Sequence, residues 1–261
     1  MPNKLIWKER CVLCDVKHSY QQRPQCNETI YKIDLKFTAF TIKQTDFIMG
    51  SSAENLMKVK EFGRKWVKDH IIDEDVTRTK PGSIAYLLFG DKPSVQSTSI
   101  KFGHFGEAIA KEMIKANPEL ELLKCGVQVI DGKTKKKDID LIWLDKTTNK
   151  IYIRELKGNI ELDTEKLPAT FKKITDDLMP FVKEKYPEYE INVGILNWSV
   201  CTRDELSKSK GLTHIKTCEQ NGVSTDHWLD FCKLINFEWK KDDYYEYMRD
   251  FGKMIEGLEK Q

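Results

Sequence analysis

The sequence predicts a mixed α/β domain, and three observations carry that reading. The stretch "DIDLIWLDKTTNKIYIRELKGN", from Asp138 to Asn159, sets two strand-forming runs on either side of a polar turn. "EINVGILNWSV", from Glu190 to Val200, is a nearly continuous apolar run, the pattern of a strand covered on both faces. Segments before and after these repeat apolar residues at helical spacing. Helix, strands, helix, strand, helices is the order of a mixed sheet flanked by helices.

The elements follow in order along 261 residues, long enough to bury a sizeable core. Residues 1–50 form an N-terminal segment, a small zinc-binding or β element, in which Thr29 to Ile42 alternates like a strand or hairpin. Residues 51–261 form the main domain. Its first helix runs through "SSAENLMKVKEFGRKWVKDHII", with Ser52 as N-cap and Leu56, Val59, Phe62, Trp66 and Ile71 as an apolar stripe. Residues 73 to 101 read as loop, broken by Pro81, Gly82, Gly90 and Pro93. A second helix, "FGHFGEAIAKEMIKANPEL", stops near Asn117-Pro118. "LKCGVQVID" reads as a strand before the hairpin. "LPATFKKITDDLMPFVKEKYP" reads as a helix with Pro168 in its first turn and Pro180 as a kink point. After the apolar strand come two helices, "STDHWLDFCKLIN" and "DDYYEYMRDFGKMIEGLEK", the last with Tyr244, Met248, Phe251, Ile255 and Leu258 in a stripe.

Composition excludes several classes. Hydrophobic residues are 40% and charged residues 32%, which fits a soluble globular chain and not a disordered one. No apolar run approaches the length of a membrane span, and the N-terminus lacks the apolar core of a signal peptide. A cytoplasmic protein is expected, with most of its seven cysteines as free thiols. A net charge of +2 neither requires nor excludes nucleic acid, because a local patch decides that. No phosphate-cradling glycine loop, dinucleotide fingerprint or nucleophile elbow is present.

The hairpin carries charges at the strand ends farthest from its turn. A turn centred between Thr147 and Thr148 sets Asp140 opposite Glu155, with Cβ atoms about 5 Å apart. A bulge at Asn149 shifts the pairing by one residue. Glu155 and Lys157 share a face with Ile151 and Ile153, so that face turns from apolar to charged at its end. Two facing carboxylates repel unless a cation compensates, and Mg²⁺ is the divalent ion favoured by an all-oxygen set. A cation between two acids, beside an ammonium group, suits hydrolysis of a phosphodiester. The basic run "GKTKKK", with Lys135 and Lys136, leads into Asp138 and attracts phosphates. Asp138 is an alternative to Asp140 as the ligand. The contrary reading is a surface hairpin with solvated charges and no chemistry.

These residues resemble the PD-(D/E)xK nucleases, the restriction-endonuclease-like superfamily. Their pattern is an Asp, a hairpin, then Glu-x-Lys; here it reads Asp140, fourteen residues, then Glu155-Leu156-Lys157. Ile139 stands where the pattern has proline. The direct likeness covers about 20 residues, and residues 101 to 200 follow the order of the family core. The resemblance implies a mixed central sheet flanked by helices. It implies that Asp140, Glu155 and the Leu156 carbonyl hold Mg²⁺ while Lys157 orients water or stabilises charge. It also implies an acidic residue on the preceding helix, which Glu107 supplies. Gly103 and Gly106 leave room there for backbone or DNA. The expected activity is that of a type II restriction endonuclease cutting double-stranded DNA at a specific sequence. A homodimer is expected, through either the C-terminal aromatic helix or residues 53 to 72. The alternatives are a repair or recombination nuclease of the same superfamily and a non-catalytic, zinc-containing DNA-binding module.

Two further groups stand out. Cys11, Cys14, His18 and Cys26 have the residue types of a structural zinc site, although the spacing matches no common finger; reduced thiols are the other reading. In "GDKPSVQSTSIKFGHFG", Gln96 and Ser97 are candidates for base contact and Lys101 for phosphate contact, against an ordinary surface loop.

Overall fold

The computed structural model describes residues 52–72, 78–132, 134–159, 166–206, 211–220 and 222–257. All belong to the second of two units into which the chain divides, Met1–Ser51 and Ser52–Gln261. The cysteine-histidine group and the Thr29 to Ile42 strand therefore lie outside the described residues. This second unit is an α/β domain with a mixed five-stranded sheet flanked by helices.

Helix α1 (52–67) continues into a π-helical turn, Lys68–Ile72. A short helix α2 (Ile84–Phe89) follows, capped by Ser83, whose hydroxyl accepts from the Tyr86 N–H. The sequence reads as loop there because the segment has no polar–apolar period; Ile84, Leu87, Leu88 and Phe89 are all exposed. Helix α3 is Val95–Lys115, so its N-terminus lies inside the stretch expected to be loop. Ser94 caps it by accepting from the Ser97 N–H. Past Pro118 comes strand β1 (Leu120–Leu122), which the sequence did not separate from the end of the helix.

The "LKCGVQVID" stretch does form a strand, β2 (Gly126–Val129), but it pairs only with β3 (Lys136–Ile139) in a separate two-stranded ribbon. The hairpin is β4 (Leu141–Asp145) and β5 (Lys150–Lys157). Its register is unbroken from Asp145↔Lys150 to Leu141↔Arg154, so no bulge shifts it. The turn chemistry explains why. Asp145 accepts hydrogen bonds from Thr147 and Thr148, main chain and hydroxyl, and Asn149 takes a left-handed φ of 56°. Burial pushes the Asp145 carboxyl up, but those four donors hold it below the usual range.

Helix α4 (Leu167–Lys172) has Pro168 in its first turn. It runs through a π-helical stretch, Lys173–Leu178, into α5 (Met179–Lys185). Pro180, at the start of α5, cannot donate the bond that an α-helix needs, and the chain answers with a widened turn. Strand β6 (Glu190–Asn197) runs parallel to β5. Helix α6 (Gly211–Gln220) crosses over to β7 (Ser224–His227), parallel to β6. The sequence placed Ser224–His227 in a helix; only α7 (Trp228–Leu234) is one. Helix α8 (Lys241–Gly257) ends the described chain. The sheet order is β1-β4-β5-β6-β7.

Side-chain alternation gives the sheet two dissimilar faces. Leu141, Trp143, Tyr152 and Leu196 pack with α1, α3, α7 and α8 in the largest core cluster. Ile142, Ile151 and Ile153 pack with Leu178 and Val182 on the other face. Much of the two stripes considered for a dimer surface packs in the first cluster, with Leu56, Trp66, Met248 and Ile255 partly buried. Tyr244, Tyr247 and Phe251 of α8 and Val59, Val67 and Ile71 of the first helix are all buried. Met57 and Met254 of the same two segments are exposed. Among the described residues no helix is long and apolar enough to cross a membrane. Cys125, Cys201, Cys218 and Cys232 are free thiols.

Candidate active site

Strand β4 begins at Leu141, and Asp140 sits at the break between β3 and β4. The β4–β5 ladder ends at Leu141↔Arg154, one pair short of Asp140 and Glu155. The Asp140 Oδ2 accepts the Leu156 N–H at 2.8 Å, so a side chain replaces the main-chain pairing at this point. In an extended strand the N–H and C=O of one residue leave the chain on the same side. The Leu156 carbonyl is therefore turned toward the Asp140 side.

Asp140 shares its face with Ile142, and Glu155 shares its face with Ile153, both in the cluster under α5. The two acids thus lie on one side of the sheet. They converge on a single cation that the sequence did not reveal. Lys173, at the start of the π-helical stretch, hydrogen-bonds Glu155 Oε2 and lies 3.5 Å from Asp140 Oδ1. Lys157 lies 3.5 Å from Glu155 Oε1. Burial and the Asp140 charge push the Glu155 carboxyl up, and the two ammonium groups offset part of that. Burial pulls Lys173 down, but the charges of Asp140 and Glu155 outweigh it, so the ammonium stays protonated. Asp138 is exposed on β3 and reaches the cluster only as a weaker charge acting on Lys173.

Glu107 stands apart. On α3 it binds Lys111 at 2.9 Å and faces His104 at 3.7 Å. The Cys125 thiol, raised chiefly by burial, feels the charges of Lys111, Glu107 and Asp140. The expected room at Gly103 and Gly106 resolves into one use. A Cβ at Gly106 falls 2.4 Å from the Trp198 ring, so an indole, not DNA, occupies that space. Gly103 faces open space. Trp198 also lies against Gly158, and its main-chain N–H donates to the Lys157 carbonyl at 3.2 Å, while its buried indole N–H has no partner among the described residues. It therefore wedges α3 against the charged end of the sheet. Asn197, register partner of Lys157, is fully buried, and its Nδ2 has no partner among the described residues.

The remaining candidates divide. Lys135 and Lys137 both pair with the buried Asp177 of the π-helical stretch, while Lys136 is exposed on β3. Gln96 is exposed in the first turn of α3, and the Ser97 N–H serves the helix cap. Lys101 donates to the His70 carbonyl, fastening α3 to the end of the first helix.

The donor set suits Mg²⁺. That ion is commonly held by one or two carboxylates with water and substrate phosphate completing the shell, and a main-chain carbonyl adds to the set here. Among the described residues no group of three or more His, Cys, Asp or Glu offers a fuller cage. No family model, curated protein or solved structure matches the chain.

Proposed function

We propose that the protein is a metal-dependent endonuclease that hydrolyses phosphodiester bonds of double-stranded DNA, of the type II restriction kind. The observation that carries this reading is the convergence of Asp140 and Glu155 on one cation, with Lys157 beside them. The order α3, β1, β2–β3, β4, β5, α4–α5, β6, with β2–β3 as a separate ribbon, supports the reading, and the restriction-endonuclease-like core is part of the proposal.

In this reading Asp140, Glu155 and the Leu156 carbonyl hold Mg²⁺. When bound, the ion supplies a water of lowered pKa and neutralises charge on the phosphate. The Leu156 N–H fixes Asp140, so the carboxylate needs no reorganisation when it binds. Lys157, carried on the same strand as Glu155, donates to the attacking water or to the phosphate oxygen. Exposed Lys136 draws the DNA backbone toward the end of the sheet. A homodimer matches a two-fold duplex site and remains part of the proposal. Sedimentation of the protein with and without duplex tests it, and a lone protomer on cut DNA removes it.

The deciding experiment incubates the full chain with a plasmid and Mg²⁺, with and without chelator. Discrete fragments that chelator abolishes support sequence-specific cleavage. Cutting confined to branched or damaged DNA moves the assignment to repair or recombination. Binding without any cutting leaves a DNA-binding module. Lys157→Ala retains DNA binding and loses cleavage; full cleavage by that variant removes the assignment.

A further inference from the structure

The Lys173 ammonium stands between the two acids. It hydrogen-bonds Glu155 Oε2 and lies 3.5 Å from Asp140 Oδ1, where an ion shared by both carboxylates would sit. Two ammonium groups, Lys157 and Lys173, lie close to the two acids and offset their attraction for a divalent ion. One ammonium must leave for it to bind well. Lys157 is carried on β5, two residues from Glu155, where the sheet ladder fixes its backbone. Lys173 comes from outside the sheet, on the helix that covers it. It is the group in contact with both carboxylates, and its long flexible stem lets the ammonium swing without moving the helix. The helix itself is held elsewhere, by Ile174 and Leu178 in the core and by Asp177 on Lys135 and Lys137.

We propose that Lys173 is a resident counter-ion that excludes divalent metal from the Asp140–Glu155 pair until a phosphodiester anion takes its ammonium. This rests on the reading that the acid pair is a metal site. Metal and substrate then bind cooperatively: the backbone phosphate draws Lys173 away, the ion takes its place, and Lys173 becomes a phosphate contact. A site with this arrangement binds metal weakly when no DNA is present.

The test is calorimetric titration of Ca²⁺ and Mg²⁺ into the full chain without DNA, for the parent, Lys173→Gln, Lys173→Met and Lys173→Arg. The Gln and Met variants are expected to bind metal about tenfold more tightly or better, because one unit charge a few ångströms away is removed. The Arg variant keeps the charge and stays as weak as the parent. Thermal melts supply a readout that does not depend on affinity alone. Ca²⁺ raises the Tm of Lys173→Gln more than that of the parent, whereas a lysine that only braces the fold gives a variant that metal does not rescue. If the parent binds metal and the Gln and Met variants bind it no better, the counter-ion role is wrong and the metal site stands. If no protein binds metal, and Asp140→Asn changes nothing, the acid pair is not a metal site and both readings fall. Gln retains hydrogen bonding to the carboxylates, so it answers the question should Met fail to fold.

Discussion

Arg154 and Glu155 are consecutive residues on one strand, yet their charges live differently. Arg154 points to the face packed by α3, α7 and α8 and is 2% exposed. Its guanidinium bonds Asp226 Oδ2 at 2.5 Å, Asn192 Oδ1 at 2.8 Å and the carbonyls of Ile153 and Asn192 at 2.9 and 3.2 Å. It also lies over the rings of Trp143 and Tyr152. Every partner is fixed by β-sheet geometry, so this charge is saturated and immobile. Glu155 points to the other face, where its partners are two ammonium groups on long stems. The first arrangement holds strands β5, β6 and β7 together. In the proposed reading the second exchanges one cation for another. Burial of a charge therefore does not by itself mark a functional group; exchangeable partners do.

Breaking the Arg154 side has the largest expected effect. Asp226→Ala leaves a buried guanidinium without its counter-charge and costs about 3–5 kcal/mol by denaturant unfolding. A loss under about 1 kcal/mol would place Arg154 among the exchangeable charges and erase the contrast. Asp177 comes next, a buried acid whose two lysine partners are partly exposed. Asp177→Asn is expected to cost about 1–3 kcal/mol at neutral pH. Burial pushes this carboxyl up, and hydrogen bonds from Lys135 and Lys137 bring it net below its usual 3.8. Its contribution is thus present above pH 3.8 and is lost as pH falls through the lower folded value. The parent and the Asn variant should converge in acid, and a gap that widens there contradicts the sign.

Gly106→Ala tests the wedge that joins the two faces at the end of the sheet. The added methyl meets the buried Trp198 ring, and overpacking of this kind costs about 1–3 kcal/mol. The proposed cleavage should fall by more than the stability loss explains, because Trp198 abuts Gly158 and its main-chain N–H bonds the Lys157 carbonyl. The smallest stability effect belongs to Glu155→Gln. Burial and Asp140 disfavour its charge, and the amide still accepts from Lys173, so the substitution is expected to destabilise less than Asp226→Ala while abolishing the proposed cleavage. A severe unfolding of this variant would make Glu155 structural, like Arg154.

The sequence disclosed the hairpin well because its information is local. Asp145, Thr147, Thr148 and Asn149 specify the turn, and the turn fixes the register up to Leu141↔Arg154, one pair short of Asp140 and Glu155. Lys173 was hidden because its place at the site depends on how α4 docks, which no short window records. The start of α3 was misread because "SVQSTS" looks like loop; the Ser94 cap was the available signal. Strand β7 was misread because Asp226, polar to serve Arg154, removes the apolar pattern of a buried strand. The apolar stripe of α8 was legible as a stripe, but periodicity does not say whether core or partner covers it.

The widened turn from Lys173 to Leu178 fixes an angular phase between two halves of a helix. Removing one residue there would let it tighten to ordinary α geometry with little change of phase, because the six residues of the wide turn rotate the chain about as far as five of an α-helix. Leu178 and Val182 would stay on Ile142, Ile151 and Ile153, whereas a further inserted residue would rotate α5 by about 100° and swing them off. The segment is thus expected to accept the loss of one exposed residue and to reject a further insertion. Insertions and deletions across 173–178, scored for folding, would map that length dependence directly.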